Sequence, residues 1–407
     1  KYLSAEGAKL MVGIREDPFK SFTLFYDEND TSIKGGGGCI NRTLFGIEDE
    51  QGRVWYSDEW YTIRHTDKYI SGCSMETYNS PFAANVSDIL ARGRKSIGVD
   101  LKNAEGVETV LKLIESADVV IEGFRPGVME KLGLGPEECL SVNKSLIYGR
   151  MTGWGQDGPM SKQAGHDINY ISLSGALHSM GRSSENPQAP LNLVGDYGGG
   201  GAQLAIGILS ALIGSMKTGK GQVVDAAMID GSLSLMSFFY SLKEMGHWED
   251  KRESNLLDGA AHFYDTYKCS DGKFLAIGSI EPQFYAILLD KLMIDDDRFN
   301  NHMDKSKWPE LKQVIAKNIL QKTRDEWVEI FKGTDSCVTP VLDMTEAKLN
   351  DHNLARGAFI DIDGFVQPAP SPRFSENSVE VKHNAKKIGS NNLDICNRFN
   401  LNPDCFN

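Results

Sequence analysis

The sequence lacks the cysteine spacing of a zinc site. Its seven cysteines are scattered through 407 residues, are odd in number and never show C-x-x-C spacing. This pattern is typical of a reducing compartment, and it argues against both a disulfide framework and a structural zinc site. We therefore expect no metal centre.

Excess positive charge and long apolar runs are also missing. A formal charge of -13 argues against a general nucleic-acid binder, although locally gathered basic residues remain compatible with a small anionic ligand. The longest apolar run, 202–216, is about a turn too short for a membrane span and predicts a buried core helix. No secretory signal is visible at Lys1, and Asp404–Asn407 is not a peroxisomal address, so we expect a soluble, intracellular chain.

The first segment, residues 1–84, shows no sustained helical or strand period. Val54–Tyr56 and Tyr61–Ile63 predict short strands. The glycine run Gly35–Gly38 is not followed by G-K-[ST], which favours a flexible link over a phosphate loop. We assign this segment an unclear fold and no chemistry.

Residues 85–247 alternate predicted strands with helices. Ser96–Leu101, Asp118–Glu122 and Ser145–Met151 predict buried strands, which indicates βαβ units and a Rossmann-like parallel sheet. Ligands of such sheets bind beyond the carboxyl ends of the strands, where Arg125 and Thr152–Gly158 are expected. A single long helix is predicted over Ala226–Glu244.

Residues 248–366 predict a smaller α+β domain. An Asp-Gly turn between Phe263–Cys269 and Lys273–Gly278 is a hairpin signal, and Glu281-Pro282 opens a helix. One further helix is predicted over Thr345–Leu354. Residues 367–407 predict an extended linker and a polar tail with one short helix, Asn391–Phe399.

Three titratable residues fall at predicted helix starts: His166, Asp196 and Glu281. A histidine and carboxylates in such positions resemble a site in which two bases exchange a proton on opposite faces of one carbon. Capping explains Asp196 and Glu281 equally well, and a lone histidine is more often structural.

The glycines of 198–201 favour close approach of a ligand to the backbone, with N–H groups of the following helix holding an enolate oxygen. Close helix–helix packing is the alternative. Arg92, Arg94, Lys95 and Arg125 form the basic concentration beside predicted strand ends, where they could bind phosphates or simply be solvated. Tyr170, one turn after His166, could contact a ligand or pack in the core.

Several motifs together resemble one family. GHDINYISLSG at 165–175, APLNLVGDYGGGG at 189–201 and SIEPQFY at 279–285 are similar to the α-methylacyl-CoA racemases of the family III CoA-transferase superfamily. TDSCVTPVLD at 334–343, EGFRPGVMEKLGLGP at 122–136 and LARGRKSIGVDLK at 90–102 extend the resemblance. It covers about Asn85 to Phe374 with the motifs in order.

The resemblance implies exchange of the α-proton of a 2-methylacyl-CoA thioester, in an interlocked homodimer. It places His166, supported by Glu281, on one face of the substrate and Asp196 on the other. It also implies that the thioester oxygen rests on backbone N–H groups near Asp196. CoA is part of the substrate, no other cofactor is needed, and the implied compartment is the peroxisome or mitochondrion. The implied substrate and CoA contacts are Arg92, Arg94, Lys95, Arg125, Tyr170, Gly195, Tyr197 and Gly198.

The sequence departs from the family in two places and leaves two alternatives open. Residues 1–84 do not show the strand–helix unit with which the family begins, and Ala260 and His262 stand where it usually has Gly and Pro. One alternative is a CoA-transferase that uses Asp167 as its acyl-anhydride nucleophile. The other is an inactive, CoA-binding relative.

Overall fold

The computed structural model describes residues 89–377, 379–385 and 389–402, together with the backbone of five earlier strands. Gly35–Gly38 and the C-terminal Asp404–Asn407 lie outside the described residues. The chain forms two compact units, each discontinuous in sequence. Unit 1 comprises residues 1–174, 191–235 and 359–407, and unit 2 comprises residues 175–190 and 236–358.

These units divide the chain differently from the predicted domains. Residues 175–190 and 236–247 fall in unit 2, whereas the predicted large domain spans 85–247. The C-terminal residues 359–407 fall in unit 1.

The strands of the described residues build one large sheet in unit 1, one three-stranded sheet in unit 2 and two separate hairpins. The strands are β1 (Lys9–Arg15), β2 (Phe19–Phe25), β3 (Gly46–Glu48), β4 (Val54–Tyr56), β5 (Trp60–Arg64), β6 (Arg94–Gly98), β7 (Ala117–Glu122), β8 (Ile147–Thr152), β9 (Gln222–Ala227), β10 (Tyr264–Lys268), β11 (Phe274–Gly278), β12 (Val338–Pro340), β13 (Phe359–Ile362) and β14 (Phe365–Pro368).

The helices of the described residues fill the connections. They are α1 (Ala104–Glu115), α2 (Val128–Lys131), α3 (Pro136–Val142), α4 (Asp167–Leu173), α5 (Gln203–Thr218), α6 (Met228–Leu235), α7 (Ser237–Glu244), α8 (Pro282–Leu292), α9 (Trp308–Ile319), α10 (Arg324–Phe331), α11 (Met344–Leu349), α12 (Asp351–Ala355) and α13 (Asn392–Phe399). A π-helix, Leu193–Ala202, runs directly into α5.

The large sheet of unit 1 has the order β6-β5-β2-β1-β7-β8-β9. Its neighbours pair in parallel except for β1, which is antiparallel to both β2 and β7. The predicted α/β class with a parallel sheet is therefore confirmed. The two short strands predicted in the first segment form as β4 and β5.

The core of unit 1 follows from the apolar centres of its strands. Tyr148, Ile147 and Val120 are fully buried, as expected of strands covered on both faces. α1 packs Val110 and Ile114 against the sheet, and its N-cap Asn103 accepts the N–H of Glu105. This packing leaves the carboxyl ends of β7 and β8 open for loops.

The helical run Leu193–Thr218 is long and apolar enough to cross a membrane by length and composition alone. Half of it is buried inside the protein, and α5 packs against β8 and β9. Leu204, Ile208 and Leu212 supply that buried face. The packing of α5 against the sheet therefore agrees with the prediction of a core helix over 202–216.

The glycine run packs helix against helix, which is the alternative that the sequence left open. A Cβ on Gly231 of α6 would lie 1.7 Å from the carbonyl oxygen of Gly199 in the π-helix. A Cβ on Gly199 would lie 2.7 Å from the N atom of Ser232. The two backbones approach so closely that a side chain at either position must displace its neighbour.

Two predicted helices are broken in the structure. The predicted helix 226–244 forms as α6 and α7, with a break at Met236, whose ψ of -1° departs from the α-helical value. The predicted helix 345–354 is interrupted by Asn350, whose side chain caps the N-terminus of α12.

The C-terminal segment adds to the core of unit 1. α13 forms where the short helix is predicted, and it buries Ile395 and Cys396 against the cluster around α1. The Asn391 and Asn392 side chains accept backbone N–H groups of β6, both at 2.9 Å. These contacts provide hydrogen-bond partners for backbone N–H groups of β6, which is an edge strand of the sheet.

Unit 2 is built around the predicted hairpin, β10 and β11, with Gly272 in the left-handed turn (φ +83°). Behind this sheet, His262 is fully buried, and its Nε2 atom shares a 2.7 Å hydrogen bond with the Tyr285 hydroxyl. Tyr285 stacks on His302 with 4.6 Å between ring centroids. Burial, and secondarily the charge of His302, lowers the pKa of His262 to about 3.

We expect Gly231→Ala to lower the free energy of unfolding by about 1–3 kcal/mol, because its new methyl group meets a backbone oxygen. The control is Gly214→Ala in α5, where a Cβ meets no atom within 4 Å. That change should be neutral or stabilise by up to about 1 kcal/mol. Urea unfolding measures both, and equal effects would contradict the close packing of the π-helix on α6.

We expect His262 to make the protein sensitive to acid. The folded-state pKa lies below the ordinary 6.5, so the unfolded chain binds the proton first. The contribution of neutral His262 to the free energy of unfolding is therefore fully present above about pH 6.5, and it is lost as the pH falls towards 3. His262→Gln should flatten this dependence, whereas His352→Gln, at an exposed position, should not. Parallel pH-dependent urea titrations that give identical slopes would refute the assignment.

Candidate active site

His166 and Asp167 lie where the chain enters α4. His166 is the N-cap, with extended backbone, and its N–H donates to Asn169 Oδ1 at 3.0 Å. Its imidazole is partly exposed, whereas Asp167 is 4% exposed. The helix start therefore presents a histidine to solvent and turns the next carboxylate inward.

The Asp167 carboxylate holds the beginning of the π-helix. Its Oδ2 atom accepts the N–H of Gly195 at 2.6 Å and the N–H of Asp196 at 2.8 Å. A Cβ at position 195 would lie 2.7 Å from Oδ2, so a side chain there would displace the carboxylate from these bonds. Through these two bonds, the residue after His166 is tied to the backbone of Asp196. The structure thus brings together two of the three predicted catalytic residues.

Asp196 is buried, at 4% exposure, and its Oδ2 atom accepts the Asn192 amide at 3.2 Å. It lies in the first turn of the π-helix, which begins at Leu193. The prediction that Asp196 and the glycines precede the helix is therefore wrong: the glycine run lies inside it. π-helical turns are rare and often occur at functional sites.

The predicted oxyanion donors beside Asp196 are engaged in this structure. The N–H groups of Gly195 and Asp196 both donate to Asp167. Tyr197 donates its N–H to the carbonyl oxygen of Asn192 at 3.3 Å. Gly198 is partly buried and packs near Leu235. Gly195, Tyr197 and Gly198 are therefore the backbone neighbours of Asp196 in the π-helix.

A second part of unit 1 is a cleft at the carboxyl ends of β7 and β8. It has a cavity volume of about 20 Å³ and is lined by Arg125, Trp154 and Tyr170, among others. Tyr170 is 2% exposed and meets the edge of Trp154 at 4.8 Å between centroids. The Arg125 Nε atom is buried and has no hydrogen-bond partner among the described residues. Arg125 thus lies where the topology predicts a ligand site.

The other three basic candidates have structural contacts. Arg92 donates to Gln367 Oε1 (2.8 Å) and to the carbonyl oxygen of Pro368 (2.6 Å), and burial lowers its pKa. Lys95 Nζ pairs with Asp394 at 2.8 Å. Arg94 is 2% exposed. In this structure Arg92 and Lys95 bond the C-terminal segment of unit 1.

Glu281 belongs to unit 2, where it is the N-cap of α8. Its side chain is exposed and makes no capping hydrogen bond. Burial, together with the charges of Asp335 and Glu281, raises the pKa of the Cys337 thiol. Cys337 lines a cleft of about 550 Å³ in unit 2. The Glu281 carboxylate is therefore not used by local capping.

The sequence did not reveal two structural roles that depend on contacts between distant residues: that of Asp167 and that of the pair Glu122 and Arg150. Asp167 is predicted only as a possible nucleophile, and nothing in the sequence indicates its bonds to residues 195 and 196. No role is predicted for Glu122 and Arg150, although charges in otherwise apolar strands are a signal. Within the described residues, no group of three His, Cys, Asp or Glu side chains is placed to hold a metal ion.

Comparison with known proteins supplies the family. The profile of CoA-transferase family III matches residues 70–392. The chain is 45% identical to the alpha-methylacyl-CoA racemase of Mus musculus over 320 residues, which cover 78% of this chain and 84% of the relative. It is 48% identical to the alpha-methylacyl-CoA racemase of Homo sapiens over 284 residues, covering 70% and 74%.

A solved structure agrees with this similarity. The crystal structure of a CAIB/BAIF family protein from Brucella suis superposes with a TM-score of 0.70 at 26% identity. The match covers 83% of this chain and 91% of that protein. On the sequence match and the shared fold, this chain belongs to CoA-transferase family III.

Proposed function

We propose that this chain is an α-methylacyl-CoA racemase, an isomerase that interconverts the (2R) and (2S) epimers of 2-methylacyl-CoA thioesters. The observation that carries the proposal is the pair of bonds that Asp167 accepts from the N–H groups of Gly195 and Asp196, which we call the Asp167 clamp. The clamp ties the residue after His166 to the backbone of the buried Asp196. The two racemase relatives, at 45% and 48% identity, support the reaction class. The family also supplies the alternative of acyl transfer.

The chemistry requires a base on each face of the α-carbon. One base removes the α-proton, an enolate forms, and the conjugate acid of the other base returns a proton to the opposite face. We assign these roles to His166 and Asp196. Glu281 supports the histidine in this scheme, and its uncapped carboxylate is compatible with that role. Neither step needs a metal or a redox cofactor.

The enolate oxygen needs hydrogen-bond donors that are not already engaged. The N–H groups of Gly195 and Asp196 are bound to Asp167, so they do not serve unless that contact opens. In the first turn of α4, the N–H of Asn169 donates to the carbonyl oxygen of His166 at 2.8 Å, whereas the N–H groups of Asp167 and Ile168 have no partner within their helix. We therefore assign the oxygen to the N–H groups at the start of α4. One such donor is worth about 3–4 kcal/mol of transition-state stabilisation.

The side chains that line the narrow cleft beside Arg125 have the chemistry to contact the CoA part of the substrate, which would have to widen it. The Arg125 guanidinium supplies charge for a phosphate, and Trp154 and Tyr170 supply apolar walls. Arg92, Arg94 and Lys95 take part in our proposal only if the C-terminal contacts of Arg92 and Lys95 rearrange. Arg125 is therefore the basic residue that we favour.

Acyl transfer through Asp167 is the second candidate. A nucleophilic carboxylate must reach the thioester carbon, but Asp167 is 4% exposed and one of its oxygens already accepts two N–H groups. Its other oxygen, Oδ1, is buried without a partner among the described residues, which is the observation in favour of transfer. The double acceptor role leads us to rank racemisation first.

We also propose a homodimer. Ile206, Ile213 and Met216 form an exposed apolar stripe along α5, and monomers rarely leave such stripes uncovered. An acyl-CoA is an intracellular metabolite, so the proposed substrate places the chain inside cells. The peroxisome or mitochondrion is the compartment that we propose from the family resemblance.

We expect the purified protein to exchange the α-proton of (2R)-2-methylacyl-CoA in deuterated water and to form both epimers. His166→Ala and Asp196→Asn should each lower epimerisation by at least about 100-fold, because each lacks one base. Each variant should still label one epimer with retention, and the two variants should label opposite epimers. Mass spectrometry and chiral chromatography measure label and configuration.

The control is Asp230→Asn, an exposed carboxylate of α6. It should label and epimerise like the parent. A folded parent that binds CoA but incorporates no deuterium would exclude racemisation. Labelling of the same epimer by both base variants would exclude the assignment of opposite faces.

We expect Asp167→Asn to lower the free energy of unfolding by about 1–3 kcal/mol, because the amide cannot satisfy both N–H groups as the carboxylate does. Asp230→Asn should change it by less than about 0.5 kcal/mol. In the parent, incubation with acyl-CoA and hydroxylamine should leave Asp167 unmodified. An Asp167 hydroxamate in the peptide mass spectrum would instead establish the acyl-anhydride route.

A further inference from the structure

Arg150 of β8 holds the loop Gly123–Gly127 from both sides. Its Nε atom donates to Glu122 Oε1 at 2.6 Å, at the end of β7 just before the loop. Its Nη1 atom donates to Glu130 Oε1 at 2.7 Å, in α2 just after the loop. One guanidinium therefore bridges the two chain segments that enclose the loop.

The same carboxylate also bonds the loop itself. Glu122 Oε2 accepts the N–H of Phe124 at 2.7 Å, one residue before Arg125. The loop closes in a turn in which the N–H of Val128 donates to the carbonyl oxygen of Arg125 at 3.1 Å. The backbone before Arg125 is thus linked to Arg150 through Glu122, and the turn after Arg125 is closed by its own backbone bond.

The pair is fully desolvated. Glu122 is 0% exposed and Arg150 is 6% exposed. Burial raises the pKa of Glu122 to about 7, while Arg150 opposes that rise. A buried ion pair gives little net stability compared with an apolar pair of similar volume. Its presence here is better explained by the geometry that it imposes on the loop.

The strand register places these charges in one row. Glu122 pairs with Arg150, and Arg150 pairs with Asp225 of β9, so the three residues share one face of the sheet at its carboxyl end. Asp225 is exposed and its Oδ2 atom accepts the N–H of Gln156 at 3.2 Å, in the loop that follows Trp154. The row thus bonds both loops that line the cleft.

We infer that Arg150 is a positioning residue: through Glu122 and Glu130, it sets the position of Arg125 for binding the phosphates of CoA, without touching the ligand itself. The inference rests on the proposed CoA-binding function and deepens it. It identifies the row of charges beneath the loop as the support of the proposed ligand site.

The test is a double-mutant cycle on the affinity for CoA, measured by calorimetry with the full chain. Arg150→Met should raise the Kd about tenfold, the loss expected for one charge-assisted bond. In the background of Arg125→Ala, the same change should raise it less than about twofold, because the residue through which it acts is gone. Arg150→Lys, which keeps the charge but cannot bridge both carboxylates, should lie between parent and Arg150→Met.

The matched control is Arg324→Met in unit 2, since Arg324 is also buried (5% exposed) and paired with Glu346 at 2.7 Å. It should lower stability but leave the Kd unchanged in both backgrounds. If Arg150→Met does not fold, Glu122→Gln replaces it in the same double-mutant cycle. Asp225→Asn should raise the Kd for CoA by a smaller factor.

Equal factors for Arg150→Met, or for Glu122→Gln, in both backgrounds would overturn the inference. So would an unchanged Kd in Arg125→Ala. A folded parent that binds no CoA would overturn the proposed function, and the inference with it. A parent that binds CoA while the cycle is additive would overturn the inference alone.

Discussion

Everything proposed for the reacting centre depends on one carboxylate that accepts two backbone N–H groups. Asp167 is buried at the start of one helix and bonds the first turn of another, so the positive ends of two helix dipoles meet at its charge. Two catalytic bases must keep a fixed separation if one substrate carbon is to lie between them. The clamp joins the two segments through backbone N–H groups, so these bonds use neither the imidazole of His166 nor the carboxylate of Asp196.

The same principle recurs in the ligand cleft. There too a buried carboxylate, Glu122, accepts a loop N–H, and its charge is balanced by Arg150. In both places a buried side chain bonds the backbone next to a residue that we propose contacts the substrate. Such an arrangement allows a loop at a strand end to be as rigid as the sheet beneath it, which is what a binding site on a parallel sheet requires.

Local signals in the sequence were sufficient for much of the fold. The apolar strands, the Asp-Gly hairpin and the short C-terminal helix all form where the pattern predicts them, because each depends on neighbours in the chain. The break at Asn350 was missed because one capping side chain outweighed a continuous helical pattern. For the site, the roles of His166 and Arg125 are predictions from motif and topology. The structural role of Asp167 was not predicted, because its partners lie 28 and 29 residues away.

The discontinuity of unit 1 has a consequence for synthesis on the ribosome. Its core takes Ile395, Cys396 and Leu401 from the last described part of the chain, after the whole of unit 2. Domains usually fold as their residues emerge, at about 5–20 residues per second. Unit 2 can fold as soon as residue 358 has emerged, whereas unit 1 must keep an apolar surface open until its final helix arrives. While residues 359–401 are being synthesised, unit 2 can already be folded and unit 1 is still incomplete. During this interval the exposed apolar surface of unit 1 is most open to aggregation and to chaperone binding.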